Sequence, residues 1–408
     1  MNVLRVAFLG LVAALLGGCA MPEPWVKPYE RERLADPVMR FARDTLTDKH
    51  REHVRDVREG ARGATGGAKA IDLPEEHAEA MVHLYNGGGV RAVGPALLVR
   101  KSMADRVSVT GEVFVDMVSN ASIDVVTTAS PYHEIRHEFG LAVDYVYREA
   151  QITFGLLTSH EPDYVANAGN LDITQEVFSG MTTISLGFTR AADQVYKTGS
   201  PEFHQKASHW QYRLGATQIL SPRWLMSANF EVMADDGYLG SPYRVARAFG
   251  TTVPERNPTT RTGRAIRFRV IGDLGARDSV FAGYRYFTDT WNIKAHTAEL
   301  GYSRYIGGDW LVDAYMRYYT QTGAIFYSND ATTETVFLSR NRQLSTYNNG
   351  ALGSKVQYAL RRGGTYDLKL NGALEYTRFN FKDFTDVRTG DLYSYSSVVF
   401  QLFLSATY

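Results

Sequence analysis

From about residue 79 to the end of the chain, apolar residues recur at every second position, and this rhythm limits the possible folds more than any other feature. Over residues 134–147, Ile135, His137, Phe139, Leu141, Val143, Tyr145 and Tyr147 alternate with Glu134, Arg136, Glu138, Gly140, Ala142 and Asp144. Over 106–117, Val107, Val109, Val113, Val115 and Met117 alternate with Arg106, Ser108, Thr110, Glu112 and Asp116. The stretches 265–274 and 366–376 repeat the pattern. Successive side chains of a strand point to opposite faces, so a period of two means a sheet with one apolar and one wet face. A soluble sandwich would alternate in the same way, but its strands average about five or six residues. Those here run about 11–16 residues, and a tilted strand needs about 9–11 to cross hydrocarbon. The pattern predicts an all-β fold: a transmembrane, antiparallel, up-and-down β-barrel of about 16 strands over residues 78–408.

The connections carry the same message. Short turns are expected near 101–105, 148–150, 178–180, 221–223, 276–278, 307–309 and 362–364, and longer loops near 119–132, 191–206, 235–261, 323–344 and 381–391. Outer-membrane barrels combine short periplasmic turns with long outer loops. The chain closes on Val398, Phe400, Leu402, Leu404, Ala406 and Tyr408 at alternate positions. This ending resembles the signal read by the barrel-assembly machinery, an expected partner along with outer-membrane lipids. Fifteen strands can be counted from Arg91 onward, and residues 79–86 supply a sixteenth that starts on the side where Tyr408 ends.

Composition fits this reading. Tyr (25), Phe (20) and Gly (36) are abundant in a chain that is only 44 % hydrophobic. The 44 basic and 44 acidic residues balance, so no basic face for nucleic acid is expected. Cys19 is the one cysteine, which excludes an intramolecular disulfide and a thiolate zinc cluster.

Residues 1–18 have the Arg5 charge and a short apolar core, Val6 to Leu16, as a signal peptide does. Leu16-Gly17-Gly18-Cys19 resembles the lipobox of bacterial lipoproteins, which makes Cys19 the expected lipidation site. Ala20 in place of Asp favours outer-membrane sorting, with the N-terminus held in the periplasm. Residues 19–77 are rich in Pro and charge and then glycine, with little to bury, so the expectation is a periplasmic, lipid-anchored tether or docking segment, either an exposed helix or a disordered stretch.

Several residues invite chemical readings. His133-Glu134-Ile135-Arg136-His137 matches the H-E-x-x-H zinc pattern, but on a strand the two histidines stand about 13 Å apart, at roughly 3.3 Å per residue. No metal site is expected there or at His50 and His53. Residues 59–65 loosely resemble the acceptor sequence for covalent flavinylation, with Thr65 as the candidate attachment point for FMN. Glu59 and Arg62 depart from that pattern, and a plain glycine linker is the alternative. No other cofactor is expected. The loop 119–132, with Asp124, Thr127 and Thr128, could fold inward as a constriction or form an ordinary hairpin. Arg106, Glu112, Asp116, Arg136, Arg267, Arg269, Arg285 and Arg317 share the non-lipid parity and are expected to line the lumen, their mixed signs giving no single-sign field.

Residues 80–408, through AVGPALLVRKSMADRVSV, SNASIDVVTTASPY, TTISLGFTR and DDGYLGSPYR, resemble an uncharacterised proteobacterial family of outer-membrane barrels. Residues 19–67, through WVKPYERERLADPVM and REGARGATGG, resemble a small uncharacterised lipoprotein family. The chain looks like a fusion of the two. The resemblance implies a periplasmic redox setting, with thioredoxin-like or flavin-transferase proteins as possible partners, and implies no agreed activity. The first expectation is a non-enzymatic outer-membrane channel or scaffold. The alternatives are a component of a redox- or flavin-linked assembly and, weakest, a barrel-borne hydrolase.

Overall fold

A computed structural model describes residues 24–61, 73–123, 132–275 and 277–408. The long-period alternation becomes strands β1 (His77–Gly87), β2 (Val90–Ala104), β3 (Val107–Asn120), β4 (Tyr132–Tyr147), β5 (Ala150–His160), β6 (Tyr164–Val177), β7 (Thr182–Tyr196), β8 (His204–Ser221) and β9 (Trp224–Gly237). A small hairpin, β10 (Val245–Ala248) and β11 (Thr251–Pro254), interrupts the series. It resumes with β12 (Thr260–Asp273), β13 (Asp278–Asp289), β14 (Lys294–Ile306), β15 (Trp310–Gln321), β16 (Tyr347–Arg361), β17 (Asp367–Thr385) and β18 (Leu392–Thr407). All but the hairpin form one closed antiparallel barrel of 16 strands. It is sealed by β1 against β18, with His77 opposite Thr407 and Gly87 opposite Ser397. Closure leaves no unpaired edge, so every strand of the wall has its backbone partners.

The expected outward parity is seen along the strands. Val82, Leu97, Ile135, Phe139, Leu141, Phe154, Leu214, Phe268, Leu300, Met316, Leu352, Leu374 and Leu402 all point outward and are exposed. Phe178, Trp224, Trp310, Tyr366 and Tyr408 add a girdle of exposed aromatic rings at one end, as at a bilayer interface. No helix among the described residues is long and apolar enough to cross a membrane; the crossing elements are strands. A charge on the outward face should therefore be costly. Leu374→Arg, at a position 50 % exposed, is expected to destabilise the barrel by about 2–4 kcal/mol if it sits near the bilayer midplane. Denaturant unfolding in lipid vesicles measures this, and a change near zero would show that the outward face does not meet hydrocarbon.

The two ends differ. At one, strands are joined through 105–106, 148–149, 178–181, 222–223, 274–277, 307–309 and 362–366. At the other, the loops 238–259 and 322–346 are long, while β1 and β2 meet in a tight turn at Gly88 and Gly89, whose φ values of +58° and +79° suit glycine. The segment expected as a loop at 191–206 is narrower, because β7 and β8 stay paired out to Tyr196 and His204. Backbone pairing needs no bilayer, so the hairpin continues past it. At the long-loop end, Trp291, Ile293, Phe326, Leu344, Tyr347, Phe379, Phe381 and Phe384 form a buried apolar cap.

Candidate functional site

The segment before β1 does not hang free. Residues 24–43 form three short 3-10 turns along the short-turn mouth, where Arg31 donates to Ser179 O at 2.9 Å, Arg33 pairs with Asp273 at 3.0 Å and Tyr305 donates to Asp36 at 3.1 Å. A helix, α1 (Thr45–Asp56), then rises inside the barrel. Its direction follows from its partners. Leu46 N donates to Glu79, Thr47 contacts Met81, His50 lies against His83 and Arg58 over Tyr85, in ascending order along β1. On β15 and its neighbours the order is the same, from Arg43 with Asp313 to Glu59 with Arg317 and Gly60 with Gln321. The expected exposed tether is thus corrected for residues 24–61. The segment has too few apolar residues to build a core of its own, and a polar wall seats it instead.

Charge complementarity does the seating. Lys49 reaches Glu112 and Glu138, and Arg136 links Asp116 (3.1 Å) to the His53 ring (3.0 Å). Arg55 bridges Glu375 at 3.0 Å and Glu299 at 3.4 Å, and Glu299 also takes Arg267 at 2.6 Å. Near the top, Arg317 binds both carboxylate oxygens of Glu59 at 2.6 and 2.7 Å, and Asn349 adds a third contact at 3.2 Å. Two-point guanidinium–carboxylate pairing of this kind fixes orientation as well as distance. His50 packs between His83 (ring centres 4.1 Å apart) and Phe114, with Gln401 donating to its Nδ1 at 3.0 Å.

Of the residues expected to line the lumen, Glu112, Asp116, Arg136, Arg267 and Arg317 face inward and join this network, while Arg285 borders a cavity of about 10 Å³ between helix and wall. Such a volume admits about one water. Arg269 lies over the rings of Phe41 and Phe281 at the short-turn end. Arg106 is corrected. It sits in the exposed 105–106 turn, its guanidinium 5.9 Å from the Tyr147 ring centre, because β3 begins one residue later than the alternation suggests. Cys19, Thr65, Asp124, Thr127 and Thr128 lie outside the described residues. Glu59 and Gly60, which open the flavin-acceptor-like stretch, have a packing role here. A Cβ on Gly60 would stand 2.6 Å from Gln343 O, so Gly60→Val is expected to loosen the seat by about 1–3 kcal/mol. Faster proteolysis of the segment reads it, and unchanged protection would show that Gly60 is not closely packed.

The occupied lumen is lopsided. Helix α1 bonds to β1, β3, β4, β14, β17 and β18, whereas Asn170, Asp172, Thr189, Gln211 and Arg213 of β6–β8 bond to one another. Arg213 pairs with Asp172 at 2.7 Å and with Thr189 and Gln211 at 2.9 and 2.6 Å, and Asn170 donates to Asp172 at 2.7 Å. A Cβ on Gly187 would overlap the Asp172 and Arg213 side chains, so glycine there makes room for the pair. The side chains of Asp172 and Arg213 are 35 % and 24 % exposed, against 4 % for Arg317 and 8 % for Glu375. Water therefore reaches the β6–β8 wall while the opposite wall is dry. Above it, at the long-loop rim, Glu134, Glu161 and Asp163 bring carboxylate oxygens within 4.8 Å of one another, the one such acidic trio among the described residues. Burial raises the Glu161 carboxyl above its ordinary pKa, Arg136 offsets part of the shift and Asp163 adds to it. His133 and His137 are exposed and point outward from β4, away from Glu134.

Nothing in this sequence reading located the helix in the lumen. The available signal was the near-equal mix of signs on the segment and on the inward parity of the strands, each side supplying what the other lacks.

Comparisons agree with a composite chain. Residues 191–383 match a protein family of unknown function, DUF3570, and residues 26–69 match a domain of unknown function, DUF4266. The two matches fall on separate stretches of the chain, consistent with a fusion of two domains of unknown function. No curated protein matches the sequence. Among solved structures, the siderophore receptor PirA from Pseudomonas aeruginosa is 10 % identical, with 78 % of this chain and 60 % of that one covered at a TM-score of 0.41. The chain thus spans about three-fifths of that receptor's length. The monoaromatic hydrocarbon channel CymD is 11 % identical over 85 % of this chain and 96 % of that one, TM-score 0.43. A bacterial polysaccharide outer-membrane secretin is 9 % identical over 81 % and 99 %, TM-score 0.49.

Proposed function

We propose that this chain is a non-enzymatic, lipid-anchored outer-membrane channel whose pore is narrowed by its own N-terminal segment. In this reading the short-turn end faces the periplasm, as in other outer-membrane barrels, and acylated Cys19 sits in the leaflet next to the 24–43 strap. The lumen of a 16-stranded barrel is wide enough for an aqueous channel, and α1 fills one side of it. The carrying observation is the unequal exposure of the two walls: Asp172 and Arg213 on β6–β8 stay partly exposed, while Arg317 and Glu375 across the lumen are buried. The remaining path would be lined by Thr, Asn, Gln and one neutralising Asp–Arg pair. It suits small hydrated solutes and has little preference for charge sign.

The test is the intact chain in a planar lipid bilayer. Discrete, small current steps are expected. A silent bilayer containing correctly folded protein would leave the scaffold role in place and remove the channel.

A further inference from the structure

Asp44 occupies the N-cap position of α1, with extended backbone angles (φ −126°, ψ 109°), yet its side chain caps nothing. It is turned instead to the wall, where its carboxylate is in direct contact with Lys355 Nζ of β16. Both side chains are only 9 % exposed. Lys355 Nζ lies 5.7 Å from the centre of the Phe403 ring, and Phe403 belongs to a buried apolar cluster with Leu46, Met81, Ala96, Leu98 and Phe114. A second carboxylate stands beside the pair. Asp313 is directly opposite Lys355 in the β15–β16 register, and Arg43, next to Asp44 in the chain, is its ion-pair partner. Opposite residues of an antiparallel pair hold their Cβ atoms about 4.5–5.5 Å apart. An amine and a carboxyl group thus meet beside the Phe403 ring, shielded from bulk water, with the Arg43-paired Asp313 carboxylate on the adjoining strand.

We propose that Lys355 and Asp44 condense to an isopeptide bond that fixes the lumenal segment to the barrel wall. Holding an ammonium and a carboxylate in such surroundings is costly, and proton transfer within the pair, giving amine and carboxylic acid, relieves that cost. The Lys355 nitrogen then attacks the Asp44 carboxyl carbon. A C–N bond forms, the C–OH bond breaks, and Asp313 takes a proton from the nitrogen and passes one to the departing hydroxyl. One water leaves, Asp313 returns to its starting form, and no oxidant or activating group is consumed. Fixed contact supplies the effective concentration that a free lysine and aspartate lack. Asp313 acts as a positioning and proton-relay residue. The bond sits at the base of α1, so it would anchor the foot of the helix and leave the Glu59 end held by non-covalent contacts alone.

Intact-mass measurement on the purified full chain tests this directly. The mass is expected to be one water below that of the processed sequence, and proteolysis should yield a branched peptide joining the Asp44 and Lys355 segments. Lys355→Arg and Asp44→Ala should each restore the full mass. Asp313→Ala should leave most of the chain unjoined. A protease site inserted within 62–72 gives a second reading that needs no altered partner residue: after cleavage, the two fragments should run together on a denaturing gel. A full-mass wild-type chain whose cleaved fragments separate would reduce the contact to an ion pair and overturn the proposal. Loss of water that persists in Lys355→Arg would overturn it too, because the dehydration would then lie elsewhere.

Discussion

Removing residues 24–61 should raise single-channel conductance by on the order of three-fold or more, since a helix with its side chains is about 10–12 Å across and the lumen of a 16-stranded barrel is of porin width. The barrel itself should persist. Its wall is closed by 16 strands independently of the segment, and Arg267 and Arg317 retain Glu299 at 2.6 and 3.6 Å when the helix is gone. The emptied wall would carry four carboxylates, Glu112, Glu138, Glu375 and Asp313, without Lys49, Arg55 and Arg43, against two cations, Lys355 and Arg317, without Asp44 and Glu59. A shift toward cation selectivity should therefore accompany the larger current, and weaken with added salt as screening shortens to roughly 8–10 Å. Reversal potentials under a salt gradient measure the second effect. Unchanged conductance in a folded deletion variant would mean that the helix does not limit the path.

The second large effect is expected at the top of the helix. Glu59→Gln leaves the Arg317 guanidinium almost wholly buried with its two-point partner gone, and breaking a buried pair from one side costs about 3–5 kcal/mol. Glu299, at 3.6 Å, offsets part of this. The penalty should appear as release of the outer end of the segment, because the barrel strands keep their own pairing. Protease access to residues 45–61 is the measurement, with an increase on the order of 100-fold for about 3 kcal/mol. The double variant Glu59→Gln/Arg317→Met should lose clearly less than the two single variants added together, since it removes the stranded charge. Strict additivity would show that the two residues act independently.

Both effects depend on a contact between parts of the chain about 258 residues apart, and this separation marks the boundary of sequence reading. The alternation of Ile135, Phe139 and Leu141 with Glu134, Arg136 and Glu138 set the strand, the face that meets lipid and the approximate strand count, because side-chain direction in a strand is a local property of the backbone. Inward parity for Glu112, Asp116 and Arg267 followed from the same geometry. Arg106 escaped it only because the turn begins there, and turn boundaries depend on pairing with the next strand.

The residues 45–56 have no comparable local determinant of place. The charged run is compatible with a helix or a disordered stretch, and Lys49, Arg55 and Glu59 look alike whether they face water or opposite charges. Only closure of the barrel brings Glu112 from β3, Arg317 from β15, Lys355 from β16 and Glu375 from β17 around one axis. The sequence by itself determined the wall, since a period of two needs no distant partner. The tertiary structure alone decided what the wall encloses, since ion pairs are specified by three-dimensional proximity and leave no periodic trace along the chain.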